Sequence, residues 1–139
     1  MEHARNVLGL TGAAHTEYAD DSHDEPAERP IITPLACSLR GGVDIEVVLT
    51  PGTVLAEWCG TDRVVERATC GYGLDPARQH VADDGGLRIA AHEADSGEVR
   101  AVERADHPYF VATLYQPQLR SAPARAHPVF VGLVHSATR

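Results

Sequence analysis

The chain has 139 residues, 43% of them hydrophobic, enough for one domain with one buried core and too few for two. Its formal charge is −8 and all twelve of its Lys and Arg residues are arginine, which leaves no broad electrostatic footing for nucleic-acid or anionic-membrane binding. The lack of lysine also removes the usual phosphate-gripping and Schiff-base side chain, so an ATP-using ligase activity is not expected of this chain alone.

At the start of the chain, Ala4, Val7 and Leu8 stand at helical spacing, and Gly9 and Gly12 supply a stop, so residues 2–9 read as the last turns of a helix. The segment 15–29 carries Glu17, Asp20, Asp21, Asp24, Glu25 and Glu28 with almost no apolar side chain, and is expected to be an acidic mobile loop. The apolar run IITPLACSL, the Gly41-Gly42 turn and the alternating VDIEVVL together predict a hairpin. After the Pro51-Gly52 turn, TVLAEWCG predicts one or two helical turns. VVERATCGYGL then reads as a strand leading into a tight, glycine-flanked loop.

Residues Pro76 to Asp84 are weakly helical in character, and LRIAAHE and EVRAVER predict strands on either side of Asp95–Gly97. YFVATLY is apolar nearly throughout, the signature of a strand covered on both faces in an α/β domain, and is expected to need neighbours on both sides. The tail HPVFVGLVHSAT predicts a short amphipathic helix.

Three cysteines, Cys37, Cys59 and Cys70, are an odd number at wide spacings, and MEHARNVLGL lacks the basic start and apolar core of a signal peptide. A reduced, cytoplasmic protein is the expectation. No run approaches the roughly 18 consecutive apolar residues that suggest a membrane helix. The eight histidines show neither a helical i, i+4 pair nor a Cys-x-x-Cys neighbour, so no metal site and no cofactor is expected. His107 and His127 each precede proline, which points to local backbone roles.

Taken in order, ARNVLGL, Pro51-Gly52-Thr53, VVER at 64–67, HPYFVATLYQPQ and HPVFVGLVHSA resemble the C-terminal amidotransferase domain of CTP synthase over nearly the whole chain. The resemblance implies an α/β fold of the class I glutamine amidotransferase, flavodoxin-like kind. Residues 1–139 would form the C-terminal part of one such domain, without its N-terminal strands and nucleophile elbow. In that family a nucleophilic cysteine on the elbow works with a histidine and a glutamate in a Phe-His-Pro-Glu sequence. The elbow lies shortly before the ARNVLGL helix, so the nucleophile would have no counterpart here. The histidine would correspond to Gln116 and the glutamate to Gln118, in Tyr115-Gln116-Pro117-Gln118.

The family's arginine-rich substrate loop reads Glu66-Arg67-Ala68-Thr69-Cys70-Gly71-Tyr72 here, leaving Arg67 and Tyr72 as possible pocket residues. The Gln-Pro-Gln loop is also similar to that of a side group of proteins related to the C-terminal region of CTP synthase, some of which contain selenocysteine.

Three functions are compatible with these residues. One is an amidotransferase-like protein without glutaminase activity. Another is an enzyme of changed chemistry that uses Cys70 or Cys37. The third is the C-terminal piece of a CTP-synthase-type protein of pyrimidine nucleotide biosynthesis. Cys70 has two readings, a reactive thiol beside glycines and Tyr72 or a small residue at a strand end, while Cys59 beside Trp58 reads as packing. A sheet lacking its upstream strands would leave an apolar edge, so a partner chain or self-association, or instability alone, is expected.

Overall fold

The computed structural model describes residues 1–18, 29–35 and 41–138. The 15–29 acidic segment lies mostly outside these residues, as does Cys37.

The strand Val43–Leu49 (β3) alternates in and out along its length, burying Ile45, Val47 and Leu49. It is the second strand of a five-stranded antiparallel sheet among the described residues. Arg63–Ala68 (β4) lies on one side of it and Leu87–Glu93 (β6) on the other. Val99–Arg104 (β7) and Val111–Thr113 (β8) continue the sheet in that order. β6 and β7, the strands expected on either side of Asp95–Gly97, pair as a hairpin closed by a turn in which Gly97 adopts φ +71.

A smaller three-stranded sheet stands apart. Ala13–His15 (β1) runs parallel to Arg29–Pro34 (β2), and β2 pairs antiparallel with Tyr72–Leu74 (β5).

Two of these arrangements differ from the sequence reading. The runs around Ile31 and Val43 do not form a hairpin: β2 pairs with β1 and β5, and β3 with β4 and β6. Their turn residues are local signals, whereas strand choice is decided by which apolar face can be covered. YFVATLY contributes the three residues of β8, which among the described residues has a strand neighbour on one side, β7. Its apolar character comes from packing at its ends, where Tyr109 and Tyr115 join the core.

Helix Val54–Cys59 (α1) starts at Thr53, whose hydroxyl oxygen accepts the Ala56 amide at 3.2 Å, and stops at Gly60 in the left-handed region at φ +66. Its first two amides, Val54 and Leu55, donate to the buried carboxylate of Glu103 on β7, each at 3.0 Å, and Arg88 pairs with the same carboxylate. This accounts for a glutamate buried in the sheet, because it satisfies the orphan donors of a helix start. Helix Pro128–Ala137 (α2) packs on α1 where Gly132 meets the ring of Trp58; a Cβ there would lie 2.6 Å from the indole.

Leu55 and Val129 join Ile45, Val47, Leu49, Ala91 and Ala101 in the main core, while a second cluster of Ala4, Ala13, Ile31 and Val81 underlies the small sheet. The N-terminal turns are a wide π-type helix, His3–Val7, and Pro76–Ala82 is a 3-10 helix capped by Asp75.

Candidate functional site

The Gln-Pro-Gln loop follows β8 directly. Leu114 donates its amide to the Arg100 carbonyl at 2.7 Å, and Gln116 donates to the Arg67 carbonyl at 2.8 Å, so the loop is tied to the end of β4. Pro117–Arg120 then makes a 3-10 turn with Pro117 buried. Gln116 is half-buried, with its Oε1 sealed from solvent and without a hydrogen-bond partner among the described residues, whereas Gln118 is exposed.

Arg67 shares a backbone contact with this loop, and its side chain lies beside the paired end of β3. There Nη1 donates to Asp44 at 3.2 Å and Nη2 to the Gly41 carbonyl at 3.2 Å. Gly42 makes room for the guanidinium, since a Cβ at that position would lie 2.9 Å from Nε. Asp44 also pairs with Arg120 at 2.7 Å, and the hydrogen bonds from Arg120 and Arg67 hold its carboxyl below the usual range.

Cys70 and Tyr72 lie on the wall of an apolar cleft of about 390 Å³ between the two sheets. Ile31, Leu74, Val102 and Leu114 line it as well. Tyr72 leans on His15, with ring centroids 4.9 Å apart. At the cleft wall, Arg100 is 1% exposed and paired with Glu93 and Glu98, which neutralise its charge in the interior. The structure therefore brings Cys70 together with Tyr72, and Arg67 together with the backbone of Gln116. Leu114, two residues before Gln116, shares the cleft wall with Cys70.

A buried polar cluster went unread in the sequence. His127 Nε2 lies 2.8 Å from Glu66 Oε1, and both residues are nearly inaccessible. Glu66 Oε2 and the Tyr115 hydroxyl are buried with no hydrogen-bond partner among the described residues. Burial, with a contribution from the Glu66 charge, pushes the Tyr115 phenol well above its usual range and the Cys59 thiol up to about 11. The one available sequence signal for Glu66 was its register: it points inward with Ala68 in a strand whose intervening residues point out. Among the described residues, no group of three or more His, Cys, Asp or Glu side chains could hold a metal ion, and no helix is long and apolar enough to cross a membrane.

No protein-family model matches the chain. Curated relatives do. The CTP synthase of Archaeoglobus fulgidus is 34% identical over 144 residues, covering all of this chain and 27% of its own length. That of Pyrobaculum aerophilum is 33% identical and that of Methanopyrus kandleri 36% identical, each covering 99% of this chain and 26% of the relative. The chain thus spans about a quarter of the length of these proteins. Among solved structures, the glutaminase domain of Trypanosoma brucei CTPS with bound acivicin overlays 99% of this chain and 55% of that one, at a TM-score of 0.83 and 21% identity. A putative GMP synthase component from Thermoplasma acidophilum overlays 77% of this chain at a TM-score of 0.58 and 10% identity. The chain is a relative of the CTP synthases along its whole length and has the mixed α/β, class I amidotransferase fold of their glutaminase domain.

Proposed function

We propose that this chain is a glutaminase-fold protein that does not itself hydrolyse glutamine and that acts by binding. The observation that carries the reading is the pair Gln116 and Gln118, which occupy the positions that the resemblance to CTP synthases assigns to a catalytic histidine and glutamate. Amide hydrolysis needs a nucleophile, a titratable base that passes a proton to the leaving ammonia, and a carboxylate that orients the base. An amide side chain titrates nowhere near neutral pH. General acid–base catalysis alone contributes roughly 10²–10⁴-fold, and Gln116 supplies none of it.

The test is to incubate the purified chain with L-glutamine and follow glutamate and ammonia together. Release at the rate of the buffer blank is expected; turnover on the order of 1 s⁻¹, ordinary for an enzyme, would overturn the reading.

A second reading, thiol chemistry in the cleft, is favoured by the position of Cys70 beside Tyr72 on the cleft wall. Free thiols at Cys59 and Cys70 fit a reduced, cytoplasmic setting. Cleft chemistry predicts that Cys70 reacts with a small electrophile well ahead of Cys59, and equal, slow labelling of both would remove this reading.

A further inference from the structure

A second cavity, of about 340 Å³, lies between the turn at residues 9–13 and the 3-10 helix Pro76–Ala82. Leu10, Ile31 and Val81 are the larger apolar side chains that line it, and Thr11, Arg78 and His80 are the polar ones. It holds neither Gln116 nor Cys70, so what it does stands or falls apart from both readings above.

Arg78 sets this cavity apart. Arg63, Arg67, Arg88, Arg100, Arg104 and Arg120 each pair with a carboxylate, and Arg5 donates twice to the Ala13 carbonyl. Arg125 has no such partner among the described residues, but it is exposed. Arg78 is half-buried, and among the described residues its side chain makes no hydrogen bond and no ion pair.

The acids nearest to it in sequence are committed to backbone amides. Asp75 accepts the Ala77 amide at 2.8 Å, Asp83 the Ile89 amide at 3.4 Å and Asp84 the Gly85 amide at 2.8 Å. A chain with 20 acidic and 12 basic residues thus leaves a half-buried cation uncompensated at the lining of a partly apolar cavity. Desolvating a charge without a counter-charge is costly, so the vacancy favours an anion from outside. The amides of Gly9 and Gly12, two further lining residues, also carry no hydrogen bond among the described residues and add donors at the same place.

The rest of the lining chooses the kind of anion. A guanidinium offers a planar fork that matches a carboxylate with two parallel hydrogen bonds. One arginine beside Leu10, Ile31 and Val81 suits a single negative charge with an apolar body, whereas a strongly hydrated dianion needs several cations and little hydrocarbon. The volume is in the range of ordinary small-molecule sites, roughly 300–1,000 Å³. We propose that this cavity binds a small aliphatic carboxylate, with Arg78 holding the carboxylate and Leu10, Ile31 and Val81 covering the hydrocarbon.

The probe is butyrate, titrated into the full 139-residue chain at fixed ionic strength so that screening stays constant. Backbone-amide NMR is expected to show saturable shifts centred on residues 9–13 and 78–81, with a Kd of about 1–10 mM. Butanamide, the neutral isostere, and inorganic phosphate are each expected to bind at least about tenfold more weakly. Arg78→Gln removes the cation, and Thr11→Glu sets a competing carboxylate on the chain itself; each is expected to weaken butyrate binding at least about tenfold. Arg78 has no side-chain partner to lose and Thr11 is exposed, so both variants keep the fold, and the butanamide comparison needs no variant. The proposal is overturned by the absence of saturable shifts up to about 100 mM butyrate, by shifts centred elsewhere, or by undiminished binding in Arg78→Gln. Equal affinity for butanamide, or tighter binding of phosphate than of butyrate, overturns it as well.

Discussion

The imidazole of His127 and the carboxylate of Glu66 meet at 2.8 Å inside the core, 61 positions apart in sequence. His127 is also the N-cap of α2: its Nδ1 accepts the Val129 amide at 3.2 Å, which leaves the proton on Nε2 to be donated to Glu66. One ring thus starts the last helix and fastens it to β4, and the glutamate has its partner only while that helix is in place.

Substitutions at this pair are expected to follow an order set by how many groups they orphan. His127→Ala removes the cap and strands a buried carboxylate, and is expected to destabilise by about 3 kcal/mol or more. His127→Asn restores a cap acceptor but not the Glu66 contact, and falls in between. Glu66→Gln keeps an acceptor for Nε2 and is expected to cost about 1 kcal/mol. Urea unfolding midpoints of the three variants check this order, and equal effects would show that the pair is not coupled to the cap.

Gly132 is the contact point between α2 and Trp58, which in turn stacks on Tyr109 with centroids 5.3 Å apart. A methyl group there overlaps the indole at 2.6 Å, and the ring is also held by its stacking on Tyr109. Gly132→Ala is therefore expected to lower stability by about 1–3 kcal/mol, despite the helix propensity that alanine adds. Trp58 is the protein's single tryptophan, so its emission reports the displacement directly. An unchanged spectrum with raised stability would mean that α2 simply slides aside.

These contacts show where the sequence was readable and where it was not. VDIEVVL, LRIAAHE and EVRAVER carry β-branched residues and turn residues at their ends, and each became a strand. Local chemistry also placed α1 after Thr53 and α2 after His127. Partners were another matter. Nothing near Ile31 says that β2 will pair with β1 and β5 instead of β3, because pairing is settled by coverage of faces far away in sequence. Glu66, Arg100 and Glu103 were equally opaque, since a buried charge is tolerated only where distant donors or counter-charges converge on it. The Gln116 loop was legible through family resemblance, but the cleft that holds Cys70 and Tyr72 was not.

Asp44 gives a stability effect with a definite sign in pH. The hydrogen bonds from Arg120 and then Arg67 depress its folded pKa below the ordinary 3.8. A carboxylate depressed in the folded state contributes stability above its unfolded pKa and loses it as the pH falls through the folded value. The difference in stability between the parent and Asp44→Asn is thus expected to be constant from about pH 5 upward and to shrink below about pH 4. Asp44 is at the surface, so the difference is small and is screened by added salt. Chemical denaturation across pH at two ionic strengths checks both features, and a gap that persists at pH 2 would reject the assignment.

Cys59 tests whether the buried cluster is as closed as its geometry implies. Its thiol is pushed from 9.0 up to about 11, first by burial and then by the charge of Glu66. Two pH units above the ordinary value leave about a hundredfold fewer thiolates at neutral pH, and the thiolate is the reactive form. Iodoacetamide labelling, followed by peptide mass spectrometry, is expected to modify Cys59 about a hundredfold more slowly in the native protein than in urea, where the shift vanishes. Exchange of Glu66 for Gln removes the charge and leaves the burial, so it is expected to recover only the smaller part of that factor. If Cys59 reacts as fast folded as unfolded, the cluster opens readily, and a thiol close enough to feel Glu66 and Tyr115 would become a rival to Cys70 as the seat of any chemistry.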